Sequence, residues 1–323
     1  MFLAISPTFS KSINSMNNLA KPISYRGFNQ KSEISEEKNK LPAILLTGLS
    51  LAIGLFAYIK HRKSKKVLTD AAVKKLEEAQ IYLKNIFGKD FAIDDANNFV
   101  RKHEELIKIK DNKEYYLKLF EQLKRDFKVE NKSLSLELMD KPIPVNNGEY
   151  RGYTEALTRK IGATSSQDRI STISNLFHEF KHVKQNELMY KTDSKRLVNI
   201  KVAELEKSNN ASWQRLLKDC GGDKELARKT VQKEVEQVYA QIWGHLKPVS
   251  KTSENYKLGI KYLENEANRI PPGAHYYEQI LEKEARFVEE NAVKLFKLFE
   301  KQVWYWVLVP LYELKKALKE DLL

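Results

Sequence analysis

The sequence predicts an α+β fold, predominantly α, with one small sheet and a single transmembrane helix ahead of the folded part. Three observations carry that expectation. Apolar residues recur at helical spacing over most of the chain from Val67 onward. One stretch, about 133–165, instead alternates and carries prolines and a turn signal. The run Leu41–Ile59 holds no charged residue across 19 positions.

Residues 1–40 are rich in Ser and Asn and show little periodicity, so they are expected to form a flexible tail. The apolar run, read as a transmembrane helix at 41–59, would measure about 29 Å, close to the thickness of a bilayer's hydrocarbon. "KHRKSKK" follows it with five Lys/Arg in residues 60–66, against two in residues 34–40. By the positive-inside rule this places the C-terminal domain in the cytoplasm of a single-pass membrane protein.

A basic juxtamembrane and helical region is expected over 60–130. Val73, Leu76, Leu83 and Phe87 share one face of its first helix, with Thr69 as a candidate cap and Gly88 as a stop. Two further helices are expected, from about Asp94 to Lys110 and from Asn112 to Phe127. The remaining domain, 131–323, opens with the small sheet, including a turn at Asn146–Asn147–Gly148. Next comes a helix capped by Ser165, Ser166 or Asp168. Ile170, Ile173, Leu176, Phe177, Phe180 and Val183 give that helix a broad apolar side. Ser171, Ser174, His178, His182 and Gln185 trace a polar line at spacings of three and four.

Composition excludes some functions and permits others. Lys+Arg exceeds Asp+Glu by 56 to 43, a formal charge of +13. Such an excess suits an anionic lipid surface, and the chain shows no basic–aromatic platform or fold motif for nucleic acid. A single cysteine, Cys220, rules out an intramolecular disulfide framework and any Cys-rich zinc module. A bound zinc ion would therefore need His and carboxylate ligands.

"FHEFKHVKQ", Phe177–Gln185, holds two of the six histidines four residues apart. At that spacing the two Cβ atoms sit about 6 Å apart, so two imidazole nitrogens can meet one ion at about 2.0–2.1 Å. Glu179 lies about 100° round the helix, displaced from a third-ligand position but placed to reach a water on the ion. A carboxylate there can take a proton from that water and hand it to a leaving amine.

His178-Glu179-Phe180-Lys181-His182, after expected strands and inside an amphipathic helix, resembles the zincin metallopeptidases. The resemblance covers about residues 150–290. It implies Zn2+ held by His178 and His182, Glu179 as catalytic base and acid, and a strand ahead of the motif helix that lies along an extended peptide. In the gluzincin branch the third ligand is a glutamate on a later helix, commonly in E-x-x-A. Two segments offer that pattern: Glu264–Ala267, with Asn268 as a possible partner for a ligand histidine, and Glu282–Ala285. The second follows the Pro271–Pro272–Gly273 break with Tyr276 and Tyr277 a turn or two ahead, as in comparable peptidases, and Glu282 is chosen on that ground. The helices expected from about Ser194 to Gly244 would then be an insertion or a lid. Trp304, Tyr305 and Trp306, in an apolar run too short to span, either close the core or lie at a lipid surface.

The resemblance thus implies a membrane-anchored, zinc-dependent endopeptidase acting on a protein or peptide substrate, with membrane lipid as a second partner. The rival reading is a non-catalytic tethered helical adaptor carrying a vestigial motif.

Overall fold

The computed structural model describes residues 24–26, 64–145, 148–155, 159–165, 168–209, 211–270 and 275–300. It divides into two compact units. One contains Tyr116–Glu289 with the strand at Ser24–Arg26; the other holds the described residues before Tyr116 and after Glu289.

In the second unit, α1 (Ser64–Phe87) and α2 (Ile93–Ile107) form an antiparallel-type pair across a short connection. Gly88 ends α1 with φ +119, a conformation that side chains with a Cβ rarely adopt. Around this pair, Phe99 stacks near Phe299 and meets Phe296 edge-on, while His103 lies flat against Phe299.

The first unit begins within α3 (Asn112–Asp126) and adds a five-stranded sheet: β1 (Ser24–Arg26), β2 (Ser135–Met139), β3 (Ile143–Val145), β4 (Gly148–Glu155) and β5 (Lys160–Thr164). The strand order is β1-β4-β5-β2, with β3 also on β4. β5 runs parallel to β2, pairing Ser135 with Lys160 and Met139 with Thr164, and antiparallel to β4, pairing Gly152 with Ala163. β1 lies within the stretch expected to be an unstructured tail, and it pairs Ser24 with Tyr153 and Arg26 with Tyr150.

Against the sheet lies α4 (Arg169–Ser208), capped by Asp168, whose side chain accepts from Ser171 N at 2.9 Å. Thr172 ties its first turn to β5 by donating to Thr164 O at 2.8 Å. The apolar back of α4 packs on α3: Phe180 meets Phe120 and Phe127 at 5.3 and 5.4 Å between ring centroids, and Phe177 meets Phe127 at 6.0 Å. Burying such rings contributes roughly 2–3 kcal/mol each, which fixes the helix's rotation and turns its polar line to the other side.

α4 breaks at Asp193, where φ −157 and ψ 90 are not helical, and Asp193 restarts the helix by accepting from Arg196 N at 2.9 Å. Its later half, α5 (Ala211–Asp219), α6 (Lys224–Trp243) and α7 (Glu254–Ala267) share an apolar core around Trp213, Tyr239, Trp243 and Leu263. Gly259 lets α7 approach closely, since a Cβ there would sit 1.9 Å from Thr192 Oγ1. A 3-10 turn at Tyr276–Glu278 leads into α8 (Ile280–Glu300).

The expected membrane anchor is corrected. Among the described residues no helix is long and apolar enough to cross a membrane. The long helices are amphipathic, and α8 already carries Glu282, Lys283, Glu284 and Arg286 in its first two turns. The run Leu41–Ile59 lies outside the described residues, as do the Pro271–Pro272–Gly273 break and Trp304–Trp306. The fold is therefore stated as mainly α with a small sheet, without a spanning helix, and the single-pass placement with a cytoplasmic C-terminal domain is set aside.

Candidate metal centre

Three side chains from two helices converge inside the first unit. α4 supplies His178 and His182, one turn apart, and α8 supplies Glu282 from its first turn. All three are buried, at 3%, 7% and 3% exposure. Their candidate ligand atoms lie within 4.8 Å of one another. Glu264, the alternative third ligand, is exposed on α7. The structure thus brings Glu282, and not Glu264, to the histidines.

Hydrogen bonds fix the orientation of both rings. Gln185 Nε2 donates to Leu281 O at 3.0 Å, and that carbonyl can only accept. Gln185 Oε1 is therefore the atom 2.8 Å from His182 Nδ1, so Nδ1 carries the proton. His178 Nδ1 likewise donates to Glu289 Oε2 at 3.0 Å. In the neutral rings both Nε2 atoms are then lone-pair acceptors, and they face each other at 3.2 Å. Glu282 adds two more acceptors, with Oε2 3.8 Å from His178 Nε2 and Oε1 3.8 Å from His182 Nε2. Two nitrogens bound tetrahedrally to one ion at about 2.0–2.1 Å would stand roughly 3.3 Å apart. The observed separation matches that span. Four acceptors turned toward one point repel one another unless a cation sits among them.

Electrostatics support a neutral His182. Burial pushes His182 well below the usual histidine range, and the nearby His178 and Arg269 push it the same way. Glu289 is held below the ordinary carboxylate range: burial alone would raise it, but the hydrogen bonds from His178 and Ser174 outweigh that. Ser174 Oγ donates to Glu289 Oε1 at 2.8 Å, so the carboxylate behind His178 is itself oriented. Tyr276 OH donates to Glu282 Oε1 at 2.8 Å and does the same for the third member.

Glu179 points to the sheet side of α4 and is only 1% exposed. Its Oε2 accepts from Thr154 Oγ1 on β4 at 2.6 Å. Oε1 lies against Gly152, where a Cβ would come within 3.0 Å of it. Burial raises Glu179 well above the ordinary range, the Thr154 hydrogen bond opposes that, and the charges of Glu282 and Glu289 raise it further. Thr154, which holds the Glu179 carboxyl, also lines a cavity with His182 and Glu282.

Sequence reasoning missed Glu289, Thr154 and the clamp by Gln185. Glu289 stands seven residues after Glu282, two turns along one helix face, and that spacing was the available signal. Thr154 is brought to Glu179 only by the packing of β4 on α4.

Comparison of the chain with protein-family models, with curated proteins and with solved structures finds no match.

Proposed function

We propose that this protein is a zinc-dependent peptidase of the zincin type, in which His178, His182 and Glu282 hold the metal. The observation that carries the reading is the pair of facing Nε2 atoms, each left as an acceptor by a fixed Nδ1–H donor and closed off by a buried carboxylate. Three protein ligands leave zinc an open position, the arrangement of catalytic rather than structural sites. A zinc ion there would polarise a scissile carbonyl and make water acidic enough to attack it at neutral pH.

The chain's own residues supply the rest. Glu179, buried beside the triad but not part of it, is placed to accept a proton from the attacking water and return it to the leaving amine. Thr154, which lines the cavity, holds the Glu179 carboxyl by a hydrogen bond. β4, which carries Gly152 and Thr154, is paired with β5 on one side and β1 on the other, so its part is to hold Glu179 rather than to offer an open edge to a peptide.

The test is Glu179→Gln. Purified wild type should contain about one zinc per chain and hydrolyse an unfolded protein such as reduced casein. The variant should keep the zinc and lose at least 100-fold in hydrolysis. Hydrolysis undiminished in the variant, or a wild type devoid of metal after purification without chelators, would overturn the reading. The rival, a non-catalytic adaptor, requires binding that is indifferent to this change.

A further inference from the structure

Tyr276 holds Glu282 Oε1, and Tyr276 must itself be held. It is 1% exposed, and a phenol hydroxyl carries one proton that rotates to suit its neighbours. Arg269, just beyond the end of α7, supplies the restraint: its side chain hydrogen-bonds to that of Tyr276. A guanidinium has donors only, so the hydroxyl accepts from Arg269 and keeps its own proton for Glu282, 2.8 Å away. The hydrogen bonds therefore run one way, from Arg269 to Tyr276 to the third member of the triad.

Neighbouring groups keep the two residues together. Gln279 Oε1 accepts from Ile270 N at 3.0 Å, while its Nε2 donates to Ile270 O at 3.2 Å and to Tyr276 O at 3.0 Å. The main chain next to Arg269 is thereby tied to the main chain of Tyr276. Arg269 Nη1 also lies 3.8 Å from Glu204 Oε1 and Glu266 Oε1, and both of these carboxylates meet Lys201 as well. A planar fork of five donors can serve a hydroxyl and lie beside carboxylates at once, which suits this position to arginine.

We infer that Arg269 is a positioning residue for the metal centre, acting on Glu282 through the hydroxyl of Tyr276. By fixing where that proton goes, Arg269 commits Glu282 Oε1 to Tyr276. The carboxylate is then kept at its approach to the histidines, with Oε1 3.8 Å from His182 Nε2 and Oε2 3.8 Å from His178 Nε2. A ligand whose rotation is already fixed loses less freedom when an ion enters, so the ion is held more tightly. His178 and His182 each give their Nδ1 proton to an acceptor. Glu282 depends on a hydroxyl that has to be oriented in its turn, which is why its support extends one residue further. The inference rests on the metal reading above and adds a residue of the α7 end to the support of the site.

The experiment measures zinc affinity of the full chain against a competing chelator, and the visible spectrum of the Co2+-loaded protein. Tyr276→Phe, which keeps the buried ring, should weaken zinc binding about 10- to 100-fold. Arg269→Met should weaken it about tenfold. Arg269→Lys, which still offers the hydroxyl a donor, should recover most of that loss. The double variant, Arg269→Met with Tyr276→Phe, should bind zinc no more weakly than Tyr276→Phe alone, because Arg269 then has nothing to act through. The Co2+ d–d bands should move in the same direction in Arg269→Met and Tyr276→Phe and stay near their wild-type place in Arg269→Lys. If Arg269→Met does not fold, Arg269→Gln serves in the same cycle. Wild-type affinity in either single variant would overturn the inference. So would losses that add in the double variant, since Arg269 would then act by its charge or its packing and not through Tyr276. A wild type that binds neither zinc nor Co2+ would instead remove the metal reading, and this one with it.

Discussion

His178 and His182 turn their Nε2 atoms toward each other at 3.2 Å while their Nδ1 atoms face outward to Glu289 and Gln185. That arrangement is costly without a cation, so the proposed metal should stabilise the fold. Ligand present at about 1,000 times its Kd stabilises a native state by roughly 4 kcal/mol. Adding zinc to chelator-treated wild type should therefore raise Tm by several degrees. His182→Ala should show no such rise and no stoichiometric metal. A wild-type Tm indifferent to both chelator and zinc would remove the basis for a metal centre.

Glu289 is not one of the three converging side chains; it accepts from His178 Nδ1, which leaves Nε2 to face the proposed ion. Removing such a partner typically weakens metal binding 10- to 100-fold. Glu289→Ala should lose zinc to a competing chelator by about that factor, with Glu289→Gln milder because its carbonyl still accepts. Glu282→Ala should lose far more, and the exposed Glu264→Ala nothing. A loss at Glu264 equal to that at Glu282 would mean that the ligand set has been drawn wrongly.

Much of the centre was written locally. The spacing of His178 and His182 and the apolar back of their helix suffice to put both rings on one face, because helix geometry is set by near neighbours. Asp168 was legible for the same reason as one of three candidate caps, beside Ser165 and Ser166, and it is the one that caps the helix. Glu282 ranks above Glu264 in the sequence through the Pro271–Pro272–Gly273 break and through Tyr276 and Tyr277, and of these Tyr276 donates to Glu282. What stayed hidden depends on distant contacts: Thr154 against Glu179, Gln185 against the backbone of α8, and β1 against β4. The expected membrane helix shows the reverse failure. An apolar run was read from its own composition, yet among the described residues helix length and apolarity nowhere meet the requirement for spanning.

Gly152 tests whether β4 positions the base. A Cβ at this site would press on Glu179 Oε1 at 3.0 Å, and on Asn175 Cβ and Glu179 Cγ at 3.5 Å. The carboxyl is the part able to yield, by a few tenths of an ångström, away from Thr154. Misplacement by 1 Å can cost about 100-fold in rate, so Gly152→Ala should lower kcat by roughly tenfold. Zinc content and Tm should change little, because the one tight contact on α4 is the end of the Glu179 side chain and the two at 3.5 Å are ordinary van der Waals distances. Unchanged kcat in a folded, metal-loaded variant would show that Glu179 does not depend on this strand for its placement.

Lys201 and Glu266 form a buried pair whose pH limits can be stated in sign. Burial would raise Glu266, but Lys201 and Arg269 hold it below its ordinary 4.5. Burial would lower Lys201, but Glu204 and Glu266 hold it above its ordinary 10.5. A depressed acid contributes stability in full above 4.5 and loses it as pH falls through its folded value. A raised base contributes in full below 10.5 and loses it as pH climbs through its own. Removing one partner of such a pair leaves the other charge buried and typically costs about 3–5 kcal/mol. Lys201→Met should therefore lower the stability found by urea unfolding by that amount across the plateau, and the gap to wild type should narrow as pH falls below 4.5 and Glu266 protonates. Adding Glu266→Leu should recover most of the loss, since the stranded carboxylate is then gone. A Lys201→Met protein as stable as wild type at neutral pH would show that Arg269 alone satisfies Glu266.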